Sequence, residues 1–174
     1  NIDQTVASVR KAISEAETMA GIEVSTVYVG IAGGHIKSIN SDGVVPIKNG
    51  EVTKEDVRRV IEAAKAVAIP MDREIIHVIP QEFTIDGQEG IMEPVGMAGV
   101  RLECKVHIVT GAVASAQNII KCCTKAEVDV EDVVLEQIAS AEAVLTTAER
   151  EISAAIIDIG GGTTEVAVIS LGGI

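Results

Sequence analysis

Near its end the chain places Asp158-Ile-Gly-Gly-Gly-Thr-Thr-Glu165 between two short apolar runs. The run before it, Ala154-Ala155-Ile156-Ile157, has the make-up of a fully buried strand. The run after it, Val166-Ala167-Val168-Ile169, has that of the strand's hairpin partner. Three successive glycines at the tip permit positive φ and let main-chain N–H groups approach a ligand with no Cβ between. Thr163 and Thr164 add hydroxyl donors, and Asp158 sets a carboxylate at the end of the first strand. Successive N–H groups facing one concavity form an anion nest, for which phosphate is the natural occupant. A carboxylate beside a phosphate repels it unless a divalent cation lies between, directly or through water. The pattern therefore points to a nucleotide phosphate at Gly160, Gly161, Gly162, Thr163 and Thr164, with Mg²⁺ beside Asp158. The alternative is a glycine-rich turn that binds nothing, because short glycine motifs are weak evidence alone. No Lys follows the glycines as in a Walker A loop, and no helix opens after them as in a dinucleotide-binding turn.

Such a hairpin must pack on a core that has almost no aromatics. Hydrophobic residues make up 47% of the 174 and aromatics 1%, so the core is Val, Ile, Leu and Ala. That is the palette of mixed α/β sheets covered by helices. A net charge of −12 argues against a nucleic-acid surface and against adsorption to anionic lipid. No apolar run approaches the roughly 20 residues of a membrane span, and no signal peptide is visible. Cys104, Cys122 and Cys123 are odd in number and lack metal-ligand spacing, which favours inert thiols in a reducing cytosol. His35, His77 and His107 are scattered in strand-like surroundings and read as structural rather than ligating. The chain opens on Asn1 without an initiator methionine and stops at Gly172-Gly173-Ile174, so a segment excised from a larger protein is expected.

Along the chain, Ile2, Val6, Val9, Ile13 and Ala16 recur at helical spacing up to Gly21. A strand over 24–31 follows, then short strands over 35–40 and 44–48 separated by a turn at Ser41-Asp42-Gly43. Pro46 lacks an N–H and assigns its strand to a sheet edge. Thr53-Lys-Glu-Asp56 resembles a capping box opening a helix with Val57, Val60, Ile61 and Ala64 inward. Strand 74–79 is expected to break at Pro80 and resume over 82–85. The acid- and glycine-rich stretch 86–99 reads as a functional loop. It exposes Ile91, Met92, Val95 and Met97 as a contact patch for a partner protein; for Ile91 and Val95, lidding the local core is the open alternative. Leu102, Cys104, Val106 and Ile108 alternate with charged residues as a half-exposed strand. A helix over 113–124 with Ala116, Ile119, Ile120 and Cys123 inward, a strand over 130–135 and a small-residue helix over 139–147 precede the hairpin.

Several stretches together resemble one family. The strand–Asp-x-Gly-Gly-Gly-Thr-Thr–strand order is similar to the second phosphate loop of the actin, sugar-kinase and DnaK-type chaperone superfamily. Val44-Val-Pro-Ile47, His77-Val-Ile-Pro-Gln-Glu82, Gln88-Glu-Gly90, Pro94-Val-Gly96, Gly99-Val-Arg101, Lys105-Val-His107 and Ala139-Ser140 extend the likeness to the bacterial actin-like cell-division family FtsA. The resemblance implies an actin-like, ribonuclease H-like α/β fold with an inserted small subdomain. Residues 1–32 and 111–149 would belong to subdomain 1A, 33–110 to the 1C-like interaction subdomain, and 150–174 would open subdomain 2A. It also implies ATP with Mg²⁺ between two lobes, self-assembly into filaments, and attachment of the FtsZ ring to the inner face of the cytoplasmic membrane. Later division proteins would meet residues 33–110. The first phosphate loop, the adenosine-binding loop, the region that meets FtsZ and the C-terminal membrane helix have no counterpart in these residues. Glu136 stands where the superfamily keeps a residue that orients the attacking water, as catalysis of phosphoryl transfer by positioning requires. Gln137 stands where a Pro is usual. At most a weak ATPase is expected. The alternative is a small-molecule kinase or phosphatase using the same Asp158–Thr164 loop.

Overall fold

The computed structural model describes residues 1–169, so the Gly172-Gly173-Ile174 end lies outside the described residues. Helix α1 (Ile2–Ala20) starts where the Asn1 side chain accepts the Asp3 N–H at 3.0 Å. It stops at Gly21, whose φ of 70° returns its N–H to the Glu17 carbonyl. Its apolar stripe packs on α3 (Val113–Lys125) and on the parallel pair β1 (Thr26–Ile31) and β6 (Asp129–Leu135). Val6, Cys122, Cys123, Ala126 and Val128 form that core. Ile120, expected inward on α3, is 38% exposed, because Cys122 and Cys123 take the buried face.

Residues between β1 and α3 build a second sheet with its own core. Its strand order is β2 (Lys37–Pro46), β5 (Arg101–Ala112), β3 (Arg73–Ile85), β4 (Gln88–Ile91), with every neighbour antiparallel. Helix α2 (Lys54–Ala64) covers one face, opened by the expected capping box between Thr53 and Asp56. The alternation expected of β5 is present: Leu102, Cys104, Val106 and Ile108 are all buried against Val60 and Ala64. All three cysteines are free and buried. Burial pushes the Cys104 thiol up to about 12 and raises Cys123 as well, so neither is an active thiolate near neutrality.

Three expectations are corrected here. Ser41-Asp42-Gly43 is not a turn; β2 runs unbroken through it, paired residue for residue with β5. Gly43 is there because a Cβ would sit 2.1 Å from the Val60 carbonyl oxygen, so the glycine lets α2 lie directly on the strand. Pro80 does not break β3. It pairs with Val106 and sits at a bulge between Pro80 and Glu82, in a stretch of β3 that β4 does not pair. The stretch 86–99 is partly sheet. Asp86 (φ 49°) and Gly87 (φ 89°) make a two-residue turn into β4, and the Asp86 carboxylate accepts the Arg101 N–H at 2.8 Å.

The two ends of this unit meet. Lys37 pairs with Thr110, and the Arg73 guanidinium donates to the carbonyls of both His35 and Thr110 at 2.8 Å. After β6 come α4 (Glu136–Val144), which begins three residues before the expected 139, and a short capped helix, α5 (Thr147–Glu151), that the spacing did not predict. Val144, at the end of α4, is 64% exposed. The hairpin β7 (Ala154–Ile159) and β8 (Thr164–Ile169) lays Ile156, Ala167 and Ile169 against Ala141 and Leu145. Its other face carries Ile157, Ile159, Val166 and Val168, all exposed. The run 154–157 is thus not a fully buried strand: among the described residues only one face of the hairpin is covered.

Candidate phosphate-binding corner

The hairpin turn closes through a bond from the Gly160 N–H to the Thr163 carbonyl, 2.9 Å. None of its three glycines takes positive φ. What they provide is bare space: a Cβ on Gly161 or Gly162 would meet no atom within 4 Å. The main chain at Gly161 and Gly162 is thus uncovered by other residues, which leaves room for an anion to approach it.

Asp158 is exposed at the end of β7, and Ser140 Oγ on α4 donates to its Oδ2 at 3.0 Å. Directly across the hairpin, Glu165 pairs with Asp158 in register. Glu136, the first residue of α4, lies over Gly30 of β1, where a Cβ would come within 2.7 Å of its Cγ. The Glu165 carboxyl titrates above the usual carboxylate range. Burial is the main cause, joined by the negative charges of Glu136 and Asp158 and by a hydrogen bond with Glu136. Glu165 Oε1 is buried with no hydrogen-bond partner. The tertiary structure thus gathers Glu136, Asp158 and Glu165 beside the glycine turn.

That donor set suits a cation completed by phosphate and water. Among the described residues no group of three His, Cys, Asp or Glu could hold a metal by itself. Mg²⁺ keeps several waters and commonly binds through one or two carboxylates plus phosphate. Asp158 would hold it, and the ion would neutralise charge between carboxylate and phosphate.

Gly30, Ser140 and Glu165 are the members of this corner that sequence reasoning assigned no role. A lone glycine inside the Val27–Ile31 strand pattern is a signal of close approach that could have singled out Gly30. Ser140 is marked only by the family resemblance of Ala139-Ser140, with no role attached; it meets Asp158 through packing of α4 on the hairpin. Gln137 lines a cavity of about 260 Å³ with Lys37, Ser38 and His107, and its Oε1 has no partner. The contact patch expected over 91–97 is divided. Met92 and Val95 are exposed, whereas Ile91 is buried and Met97 half-buried against the local core. For Ile91 and Met97 the patch is therefore corrected. Bonds from the Val52 N–H to the Met97 carbonyl and from the Gly96 N–H to the Val52 carbonyl, both 2.9 Å, fold the loop back over that core.

One consequence of the carboxylate cluster concerns stability. Because the folded state raises the pKa of Glu165, its ionised form is disfavoured by folding, and the penalty operates above the unfolded pKa. Glu165→Gln is expected to raise the melting temperature at neutral pH. The gain should fade as pH falls below the ordinary carboxylate range, where both states are protonated. Thermal melts of the two proteins from pH 7 to pH 4 check this; a gain independent of pH would contradict it.

The fold and this corner define a class: a mixed α/β segment of actin-like type, interrupted by an inserted α/β unit. Comparison with known proteins makes the assignment specific. Residues 33–110 match the family described as the SHS2 domain inserted in FtsA. The whole chain is 51% identical to the cell division protein FtsA of Pseudomonas aeruginosa, covering 42% of that protein. It is 42% identical over 172 residues to that of Escherichia coli K12, covering 41% of it. The chain belongs to the FtsA family of cell-division proteins, and it spans about 42% of the length of these curated relatives. A chain of a PilM-PilN type IV pilus biogenesis complex superposes with a TM-score of 0.47 at 15% identity, covering 96% of this chain and 49% of that one. That likeness is too loose to add to the assignment.

Proposed function

We propose that these residues carry one of the two phosphate clamps and the interaction subdomain of an ATP-binding, actin-like division protein. Residues 1–32 and 111–149 then belong to subdomain 1A, 33–110 form the 1C-like unit, and 150–174 open subdomain 2A. The observation that carries this reading is the corner itself: an unobstructed glycine turn beside Asp158, with Glu136 close by. The main-chain N–H groups of 161–163 and the hydroxyls of Thr163 and Thr164 hold phosphate oxygens, with Gly160 closing the turn beneath them, and Asp158 holds Mg²⁺ through water. Glu136 orients water near the terminal phosphate. A Mg²⁺ ion held there would supply the positive charge that offsets the three carboxylates and the phosphates. The nucleotide sets the assembly state of the whole protein, which polymerises and links the FtsZ ring to the inner face of the cytoplasmic membrane.

The inserted unit is the protein-binding part of this reading. Its β2 is an edge strand ended by Pro46, which leaves main-chain groups free while discouraging indiscriminate pairing. Met92 and Val95 are exposed in the segment that follows β4, the strand at the opposite edge of the sheet, near Glu89 and Glu93. A neighbouring protomer and later division proteins dock there. FtsZ and the membrane are reached by other parts of the protein; among the described residues no helix is long and apolar enough to cross a membrane.

Calorimetric titration with Mg²⁺-ATP, of this chain beside full-length protein carrying it, tests the reading. Binding by the full-length protein with little or none by the chain is expected, since on this reading the described residues supply one of the two phosphate clamps. Equal affinity in both would overturn the division of the site. No binding by the full-length protein would overturn the nucleotide reading.

A further inference from the structure

The run His77-Val-Ile-Pro-Gln-Glu82 lies in β3, and most of it serves the inserted sheet. Pro80 occupies the bulge, and Glu82 pairs with Lys105 across the strands at 2.6 Å. His77 does something else. Its Nε2 accepts a hydrogen bond from the Leu135 main-chain N–H at 2.9 Å, joining residues 58 apart in sequence. The bond leaves the inserted sheet and ends on the last residue of β6.

An accepting Nε2 needs a lone pair, so the imidazole is neutral and carries its proton on Nδ1. Burial holds His77 in that form, outweighing the opposing pull of the Asp132 carboxylate on β6. The receiving position is informative too. Leu135 is the N-cap of α4 and offers it no side-chain cap bond, and its own side chain is buried. A helix start without a cap is free to shift or fray unless its flanking residue is held from outside. Leu135 is paired with Ile31 of β1, and the His77 bond adds a hold on its N–H from the inserted sheet. The next two residues are Glu136, which lies over Gly30 and whose charge acts on Glu165, and Gln137.

We infer that His77 is a positioning residue: through the Leu135 amide the inserted sheet sets where α4 begins, and so where the Glu136 carboxylate lies in the corner. A change in the inserted unit, such as a docked partner, is thereby passed to the corner by one side chain. The functional consequence rests on the nucleotide reading above; the positioning itself does not.

The experiment uses full-length protein with His77→Phe, which fills the space without an acceptor, and His77→Gln, whose Oε1 reaches the same position. Nitrogen chemical shifts of the wild-type imidazole should report the Nδ1–H tautomer. His77→Phe should speed exchange of the Leu135 amide hydrogen by about tenfold, the weight of one ordinary hydrogen bond. It should also weaken Mg²⁺-ATP binding several-fold, and His77→Gln should restore both. An Nε2–H tautomer, or unchanged Leu135 exchange in a folded His77→Phe protein, overturns the inference. So does normal Mg²⁺-ATP affinity alongside faster exchange. If the wild-type protein binds no Mg²⁺-ATP, the nucleotide reading fails by itself, and the tautomer, the exchange and its rescue by Gln still judge the positioning.

Discussion

Gly43→Ala is expected to destabilise the inserted unit by about 3 kcal/mol or more, a large effect for adding one methyl group. The new Cβ would lie 2.1 Å from the Val60 carbonyl oxygen and 2.7 Å from the Ala64 nitrogen, both main-chain atoms of α2. No rotamer change relieves a clash with backbone, so the whole helix must lift from the sheet. Val60 and Ala64 have no exposure in the native fold, and the seam that opens runs along Leu102, Cys104 and Val106. A lower urea midpoint at unchanged slope is the expected reading. Gly34→Ala is the control, since a Cβ there meets nothing within 4 Å and φ is not positive. It should shift stability by less than about 0.5 kcal/mol. Equal behaviour of the two variants would show that α2 does not sit on β2 as described.

Asp158→Ala in full-length protein should weaken Mg²⁺-ATP binding by about ten- to a hundredfold, the weight of a hydrogen bond to a charged group. Stability should hold or rise, because Asp158 is exposed and its charge adds to the strain on Glu165. Gly161→Val separates a phosphate cradle from an idle turn more sharply. Its side chain would meet no protein atom within 4 Å of the Cβ, so the free protein should fold as before. A phosphate approaching the main chain would meet the new methyls, and affinity should fall about tenfold or more. Calorimetry and thermal melts on the same samples read both quantities. Unchanged affinity in both variants would make the loop only a turn.

Much of the local architecture was legible in the residues. The Thr53–Asp56 capping box, the inward alternation of Leu102 to Ile108, the Gly21 stop of α1 and the Pro46 edge strand all appear where spacing placed them. Asp86-Gly87 was legible but misjudged. An Asp-Gly pair between apolar runs signals a two-residue hairpin, and the acidity around it suggested an open loop. The burial of Ile91 followed from that same turn, which folds β4 back beside β3.

Spacing along the chain determined which residues became helix and strand, and it singled out the glycine turn as a place for an anion. These are short-range properties: helical and strand periods, caps and turn residues act within a few positions. Only the tertiary structure decided that Gly43 lies beneath α2, that Ser140 and Glu136 join Asp158 and Glu165, and that His77 reaches Leu135. Each of those meetings joins residues far apart in sequence through the packing of one element on another. Close packing resolves such contacts to tenths of an ångström, a precision that periodicity does not carry.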